Sequence, residues 1–312
     1  MKTRAFRQVD VFTATPYLGN PLAVVLDGAD LSTDDMQHFA HWTNLSETAF
    51  VLPPTPAGAA GGADYRVRIF TPGAELPFAG HPTLGTCHAW LQAGGVPQHS
   101  EFITQECDVG LVRIRLDGEL LAFAAPPLQR STPSPALLAQ VTRALGLQLH
   151  QLVAAQLLDN GPVWLGLLLD SPYTVLQLEP DHGLLKDLGL KVGVAGIQQA
   201  PAATTLIARS NREARAFGPR AVVHDLSGDS DTTLEVRAFA AAVGISEDPV
   251  TGSLNASLAQ WLIADGRLPS TYVASQGSVL GRAGRVHISQ DATGRVWVGG
   301  QSVTCITGCV TL

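Results

Sequence analysis

Residues 68–81 read Arg68-Ile-Phe70-Thr-Pro-Gly-Ala-Glu75-Leu-Pro77-Phe-Ala-Gly80-His81. A second stretch reads Arg237-Ala-Phe239, seven further residues, then Glu247-Asp248-Pro249-Val-Thr-Gly252-Ser253. Each starts with R-x-F at the end of a strand pattern and passes through a loop into E-x-P-x-x-G. Each then enters a helix that carries Trp-Leu, at Trp90-Leu91 and at Trp261-Leu262. The shared order predicts an internal duplication. Gly80 and Gly252 lie 172 positions apart, so each copy falls in its own half of the chain. Two similar domains packed about a pseudo-two-fold axis would bring both loops to one cleft. Each loop ends at a helix start, where unpaired N–H groups and the positive end of the helix dipole favour an anion. A small carboxylate suits such a site, and Gly80 and Gly252 would let the backbone approach it closely.

The chain has 312 residues, enough for two domains at about 150 residues each. The prolines of Pro126-Pro-Leu-Gln-Arg-Ser-Thr-Pro-Ser-Pro135 exclude a central strand or a helix interior there. The boundary is placed in that stretch, giving domains 1–126 and 127–312. Hydrophobic residues make up 46% and charged residues 15%, which can bury a large core. The two halves carry net charges of −4 and −3 with no basic run, so nucleic-acid and anionic-membrane binding are disfavoured. No apolar run is long enough for a membrane span, and no signal-peptide pattern follows the first charged residues. The four cysteines, Cys87, Cys107, Cys305 and Cys309, form no C-x-x-C. They read as buried free thiols of a reduced, cytoplasmic protein.

Alternating patterns at Tyr65–Ile69, Val112–Leu116 and Val286–Val298 predict half-buried antiparallel strands, the last a hairpin around Asp291–Gly294. Ser32-Thr-Asp-Asp35 resembles a capping box for a helix to about Thr43, and Ser134-Pro135 opens another. Pro82 suits the first position of a helix with Leu84, Cys87, His88 and Leu91 on one face. Ser253 suits the cap of a helix with Leu254, Leu258, Trp261 and Leu262 on one face.

Four polar residues can do chemistry near these loops. Glu47 lies in Asn44-Leu45-Ser46-Glu47-Thr48, between a helix and the apolar run Ala49–Leu52. Partial desolvation there would raise its pKa toward neutrality, as a general acid/base requires. His81 and Ser253 follow the two loop glycines, and Asp248 precedes Pro249. From spacing alone the plainer role is favoured for each: a turn residue for Glu47 and Asp248, a loop or core histidine for His81, an N-cap for Ser253. Hydrolase, P-loop and dinucleotide signatures are absent. His38 and His41 lack the further ligands a metal site needs.

Taken together, these residues resemble the PhzF-like proteins of phenazine biosynthesis, within the diaminopimelate-epimerase-like fold. The resemblance runs through Val9-Asp-Val-Phe12, Gly19-Asn20-Pro21-Leu-Ala-Val-Val25, Asn44-Leu-Ser-Glu-Thr48 and Glu75–Thr83. It continues through Asn160-Gly-Pro-Val-Trp164, Gly244–Ser253, Gln276-Gly277 and Gly281-Arg282. It implies an α+β fold of two pseudo-symmetric domains, each a curved mixed sheet wrapped around a central helix, with a last strand that can cross back to the first domain. It implies an isomerase without metal or organic cofactor, a homodimer, and a small carboxylate substrate resembling dihydro-hydroxyanthranilate. The family's catalytic glutamate, histidine and aspartate map onto Glu47, His81 and Asp248. Gly80, Gly252 and Ser253 would hold the carboxylate. The thiol pair of the fold's racemases is replaced by Ala79 and Thr251, so two-thiol racemisation is excluded and the proton falls to a glutamate. Proton transfer on a different amino or hydroxy acid, and a non-catalytic small-acid binder, are the alternatives.

Overall fold

The computed structural model describes residues 1–198 and 231–312. The first repeat comprises β1 (Thr3–Val11), β2 (Asn20–Val25), α1 (Thr33–Thr43), β3 (Thr48–Leu52), α2 (Pro56–Ala60), β4 (Tyr65–Phe70), β5 (Glu75–Leu76), α3 (Gly80–Gln92), β6 (Phe102–Cys107), β7 (Gly110–Asp117) and β8 (Leu120–Ala124). The second comprises β9 (Gln129–Ser131), α4 (Pro135–Ala144), β10 (Leu152–Asp159), β11 (Val163–Leu169), α5 (Pro172–Gln177), α6 (His182–Asp187), β12 (Lys191–Ile197), β13 (Leu234–Ala240), β14 (Ile245–Asp248), α7 (Gly252–Ala264), β15 (Thr271–Gln276), β16 (Gly284–Gln290) and β17 (Val296–Gly300). The chain ends in β18 (Ser302–Thr311).

The duplication extends from the quoted motif to the whole topology. Strand β1 pairs antiparallel with β2, β2 parallel with β3, and β3 antiparallel with β4. Strand β4 pairs parallel with β6, and β6, β7 and β8 follow antiparallel. Replacing these strands by β10, β11, β12, β13, β15, β16 and β17 reproduces every pairing with its sense. The two series join where β8 pairs antiparallel with β17. Strand β9 flanks β10, and β18 returns to pair along β1.

The repeated residues have a shared structural job. Arg68 holds Glu75 through two hydrogen bonds, both 2.6 Å, and its guanidinium lies 5.1 Å from the Phe70 ring centre. Arg237 holds Glu247 at 2.9 and 2.8 Å and lies 5.0 Å from the Phe239 ring centre. In each copy a bidentate pair fastens the strand to the loop that precedes the central helix. The second pair is nearly sealed from solvent, with side chains 3% and 7% exposed. Arg237 satisfies its remaining donors on the carbonyls of Val175 and Leu178, as a buried guanidinium must.

Helix α3 packs against β1, β2, β3, β6 and β8, and α7 against β10, β11, β16 and β17. Both are more enclosed than a one-face amphipathic reading predicts. Every residue from Gly80 to Cys87 is buried, and in α7 Asn255, Ala256, Ser257 and Ala259 are buried beside Leu254, Leu258, Trp261 and Leu262. A helix wrapped by a sheet has no solvent face over most of its length, so small and polar residues are carried inside. The starts also differ: α3 begins at Gly80 rather than Pro82, and α7 at Gly252, with Thr251 rather than Ser253 at the cap position. Elsewhere the local signals are realised. Ser32 and Asp35 form a reciprocal capping box, and Ser134 caps α4. The Val286–Val298 hairpin turns at Gly294, whose φ of 83° is left-handed. The cysteines are free, but only Cys87 and Cys107 are buried; Cys309 is exposed on β18. Among the described residues that strand's ladder is with β1, and several of its positions are exposed. Among the described residues no helix is long and apolar enough to cross a membrane.

Candidate active site

The N-termini of α3 and α7 meet head to head. A Cβ built on Gly80 would lie 3.3 Å from the Gly252 Cα, and one built on Gly252 would lie 3.2 Å from the Gly80 Cα. Ala79 and Thr251 enter the two helices with extended backbone. The first intrahelical bonds are donated by Thr83 and Asn255. The N–H groups of Gly80, His81, Gly252, Ser253 and Leu254 therefore have no acceptor within their own helices, while Pro82 has no N–H to offer. Two positive helix ends converge on one spot, which is the arrangement expected of an anion site.

The acid/base residues gather around that spot from distant parts of the chain. Glu47 reaches in from the junction of α1 and β3, and its Oε2 lies 3.3 Å from Nε2 of His81. Both side chains are largely buried, 14% and 6% exposed. Burial pushes the Glu47 carboxyl up to about 8; the charge of Asp248 pushes the same way and that of Lys191 opposes it. Burial lowers His81 to about 3. At neutral pH the pair is thus predominantly uncharged, a protonated Glu47 carboxyl facing a neutral His81 imidazole, because two neutral groups need less solvation than an ion pair. Asp248 is raised to about 6 by burial, partly offset by hydrogen bonds from Thr251 and Asn20.

Asn20 links the two repeats at this point. Its Nδ2 donates to Asp248 Oδ1 at 2.8 Å and to the Val250 carbonyl at 2.9 Å, and it lies 3.4 Å from His81 Nδ1. Gln276 mirrors that bracing from β15. Its Oε1 accepts from the Thr251 N–H and from Asn255, and its Nε2 donates to the Asp248 carbonyl and the Thr251 hydroxyl. The Thr251 hydroxyl donates to Asp248 Oδ2 at 2.6 Å. The position where a racemase thiol would stand is thus occupied by a hydroxyl committed to orienting a carboxylate. Ser253 is within α7, and its Oγ accepts from Trp164 Nε1 at 3.2 Å while its carbonyl accepts from Asn160 at 3.0 Å.

All six residues selected from sequence, Glu47, Gly80, His81, Asp248, Gly252 and Ser253, therefore surround one junction. Asn20, Asn160, Trp164 and Gln276 lay inside quoted motifs without a role, and the structure gives them one as braces. Lys191, at the start of β12, lay in no motif at all.

No cysteine occupies the junction. Cys87 sits deeper in α3, where burial pushes its thiol well above the ordinary range, and Cys107 is raised by the same cause. Such thiols are poor nucleophiles. Replacing all four cysteines by Ala or Ser is expected to leave turnover of the folded fraction within a few-fold of wild type. Substrate-protected inactivation by a thiol alkylator, with the fold intact, would contradict this.

Comparison with known proteins places this geometry. The family described as phenazine biosynthesis-like protein matches residues 9–308. The chain belongs to that family. Antisense-enhancing sequence 1 of Schizosaccharomyces pombe is 35% identical, over 99% of both chains. Trans-2,3-dihydro-3-hydroxyanthranilate isomerase of Pseudomonas aeruginosa is 31% identical, over 92% of this chain and 90% of the relative. The crystal structure of a PhzF-family phenazine biosynthesis protein of Bacillus anthracis superposes with a TM-score of 0.79 at 22% identity, covering both chains completely. The fold is accordingly the α+β, epimerase-like fold that the sequence resemblance implied.

Proposed function

We propose that this family member is a cofactor-independent isomerase of small carboxylic acids, in which Glu47 moves a proton between two carbons of the substrate. The observation that carries the reading is Glu47 itself: a desolvated carboxyl raised to about 8, facing His81, beside two helix starts that can hold an acid. A group with that pKa is mostly protonated at neutral pH with about a tenth ionised, so both the acid and the base form are present for the two halves of a proton shuttle. The ionised carboxylate takes a proton from carbon. The electron pair passes into the neighbouring unsaturated system, and Glu47 returns the proton to a second carbon. Atoms and charge balance within the substrate, so no oxidant, reductant or cofactor is required.

The substrate class follows from the rest of the site. The free N–H groups of Gly252, Ser253 and Leu254, with the Ser253 hydroxyl, would hold a carboxylate. Asp248 and His81 would orient amino or hydroxyl groups. A ring acid such as trans-2,3-dihydro-3-hydroxyanthranilate fits that layout, isomerising from an enol-amine diene to a ketone. The experiment is solvent deuterium incorporation, followed by mass spectrometry, into this acid and a panel of small amino and hydroxy acids. The reading expects one deuteron in the product at a carbon, lost in Glu47→Gln. A protein that binds acids but exchanges no carbon-bound proton would be a binder instead. Ser253→Ala is expected to weaken acid binding by about tenfold or less, since the helix N–H donors remain; isothermal titration measures this.

A further inference from the structure

Lys191 is the first residue of β12 and stands beside Trp164 in the parallel β11–β12 pair. Its Nζ lies 5.7 Å from the centre of the Trp164 ring. Trp164 is itself buried, and its indole N–H points at the Ser253 hydroxyl. The ammonium is therefore held on an aromatic face whose other edge is fixed to the start of α7. Among the described residues it forms no salt bridge, and its side chain is only partly buried. Its charge is nevertheless felt by both Glu47 and Asp248, lowering each.

Charge balance gives this lysine a purpose. The cleft already contains two carboxyl groups, and an acidic substrate adds a third. Neither E-x-P-x-x-G loop contributes a lysine or arginine. An ammonium on a flexible stem, resting on a weak cation–π contact, can leave it for a carboxylate at little cost.

We propose that Lys191 is a substrate-binding residue: it takes the ligand's carboxylate from the β11–β12 side, while Ser253 and the α7 N-terminus hold it from the other. The inference rests on the small-acid reading above and adds the residue that makes the site selective for an acid over its neutral analogue. It also implies that backbone donors and Ser253 are not the whole anion site, as the loop sequences alone suggested.

The test measures binding of anthranilate and of 2-aminobenzamide, its neutral counterpart, by isothermal titration to wild type, Lys191→Met and Lys191→Arg. Methionine keeps an unbranched stem over Trp164, and circular dichroism checks that each variant folds. The expected result is a 10- to 100-fold loss of anthranilate affinity in Lys191→Met, the scale of one charge-assisted contact. The amide should stay within about threefold, and Lys191→Arg should restore most of the loss. Equal weakening of acid and amide would show a structural role and overturn the proposal, as would unchanged anthranilate binding. A wild-type protein that binds neither probe overturns both this inference and the ring-acid reading. Carbon-bound deuterium exchange judges the role of Glu47 independently of either.

Discussion

Replacing Glu47 by Gln is expected to lower turnover by about 10²–10⁴ or more, because the variant keeps the shape and loses the base. The same substitution should raise stability in alkaline solution. An ordinary glutamate has a value of 4.5, whereas the folded protein holds Glu47 near 8. The native state therefore binds a proton more tightly than the unfolded chain. That contribution is fully present below about 4.5 and is lost as pH rises through 8. Above that range the wild type must bury a carboxylate, at a cost on the order of a few kcal/mol, and Gln does not. Melting temperatures should thus favour Glu47→Gln at pH 8.5–9 and converge below pH 4.5. His81 acts in the opposite sense. Its value is lowered to about 3, so between pH 6.5 and about 3 the unfolded chain takes up a proton that the folded His81 does not, and stability falls across that range. In catalysis, wild-type kcat/KM should rise with pH up to about 8 as the base form accumulates. A pH-independent profile, or near wild-type turnover in Glu47→Gln, would remove Glu47 from the reaction.

That arrangement was legible in sequence to an uneven degree. The R-x-F and E-x-P-x-x-G strings are local, and they report a local device: an arginine that clamps its own loop and stacks on its own phenylalanine. Repetition of the device pointed to the duplication, and two glycines at helix starts to the junction where the two helix N-termini meet. What spacing could not supply was the environment of Glu47. A carboxylate in a short helix-to-strand turn looks like surface, and neither its burial, with His81 brought against it from 34 positions away, nor the charge of Asp248, 201 positions away, can be read from its neighbours in sequence. Asn20 was hidden for a like reason, since its partners Asp248 and Val250 lie across the repeats, and Gln276 because its partners lie 21–28 positions earlier in its own repeat. Lys191 was hidden more deeply. It begins a strand, as lysines often do on exposed edges, and nothing in Leu190-Lys-Val-Gly193 signals that its neighbour strand presents an indole toward α7. The cap positions were misread because Pro82 and Ser253 carry strong local preferences. The head-to-head contact instead requires a residue without a side chain at each helix start.

That contact sets the second large effect. Gly80→Ala is expected to lower turnover by about 10²-fold while the protein still folds. Neither Gly80 nor Gly252 has a positive φ, so the constraint is space rather than backbone conformation. A Cβ on Gly80 would sit 2.7 Å from Phe123 Cζ, 3.0 Å from Cε1 and 3.3 Å from the Gly252 Cα. Phe123 cannot yield easily: it is fully buried on β8 and lies edge-on to Phe78 with ring centres 5.6 Å apart. The strain must instead separate the two helix starts. Overpacking of this kind costs about 1–3 kcal/mol of stability, a tolerable amount for a core of this size. The site is less forgiving, because His81 is the next residue and moves with the helix, away from a carboxyl only 3.3 Å distant. Gly252→Ala meets the Gly80 backbone at 3.2 Å and Phe123 at 3.4 Å, so it should displace Ser253 and the α7 donors instead. The two substitutions press on the same gap from opposite sides. Their effects on turnover should fall well short of additive, since a gap already opened by one methyl accepts the second. Single and double variants compared by kcat and melting temperature measure this. Full activity in Gly80→Ala, or strict additivity in the double variant, would mean that the helix starts need not touch for the reaction to proceed.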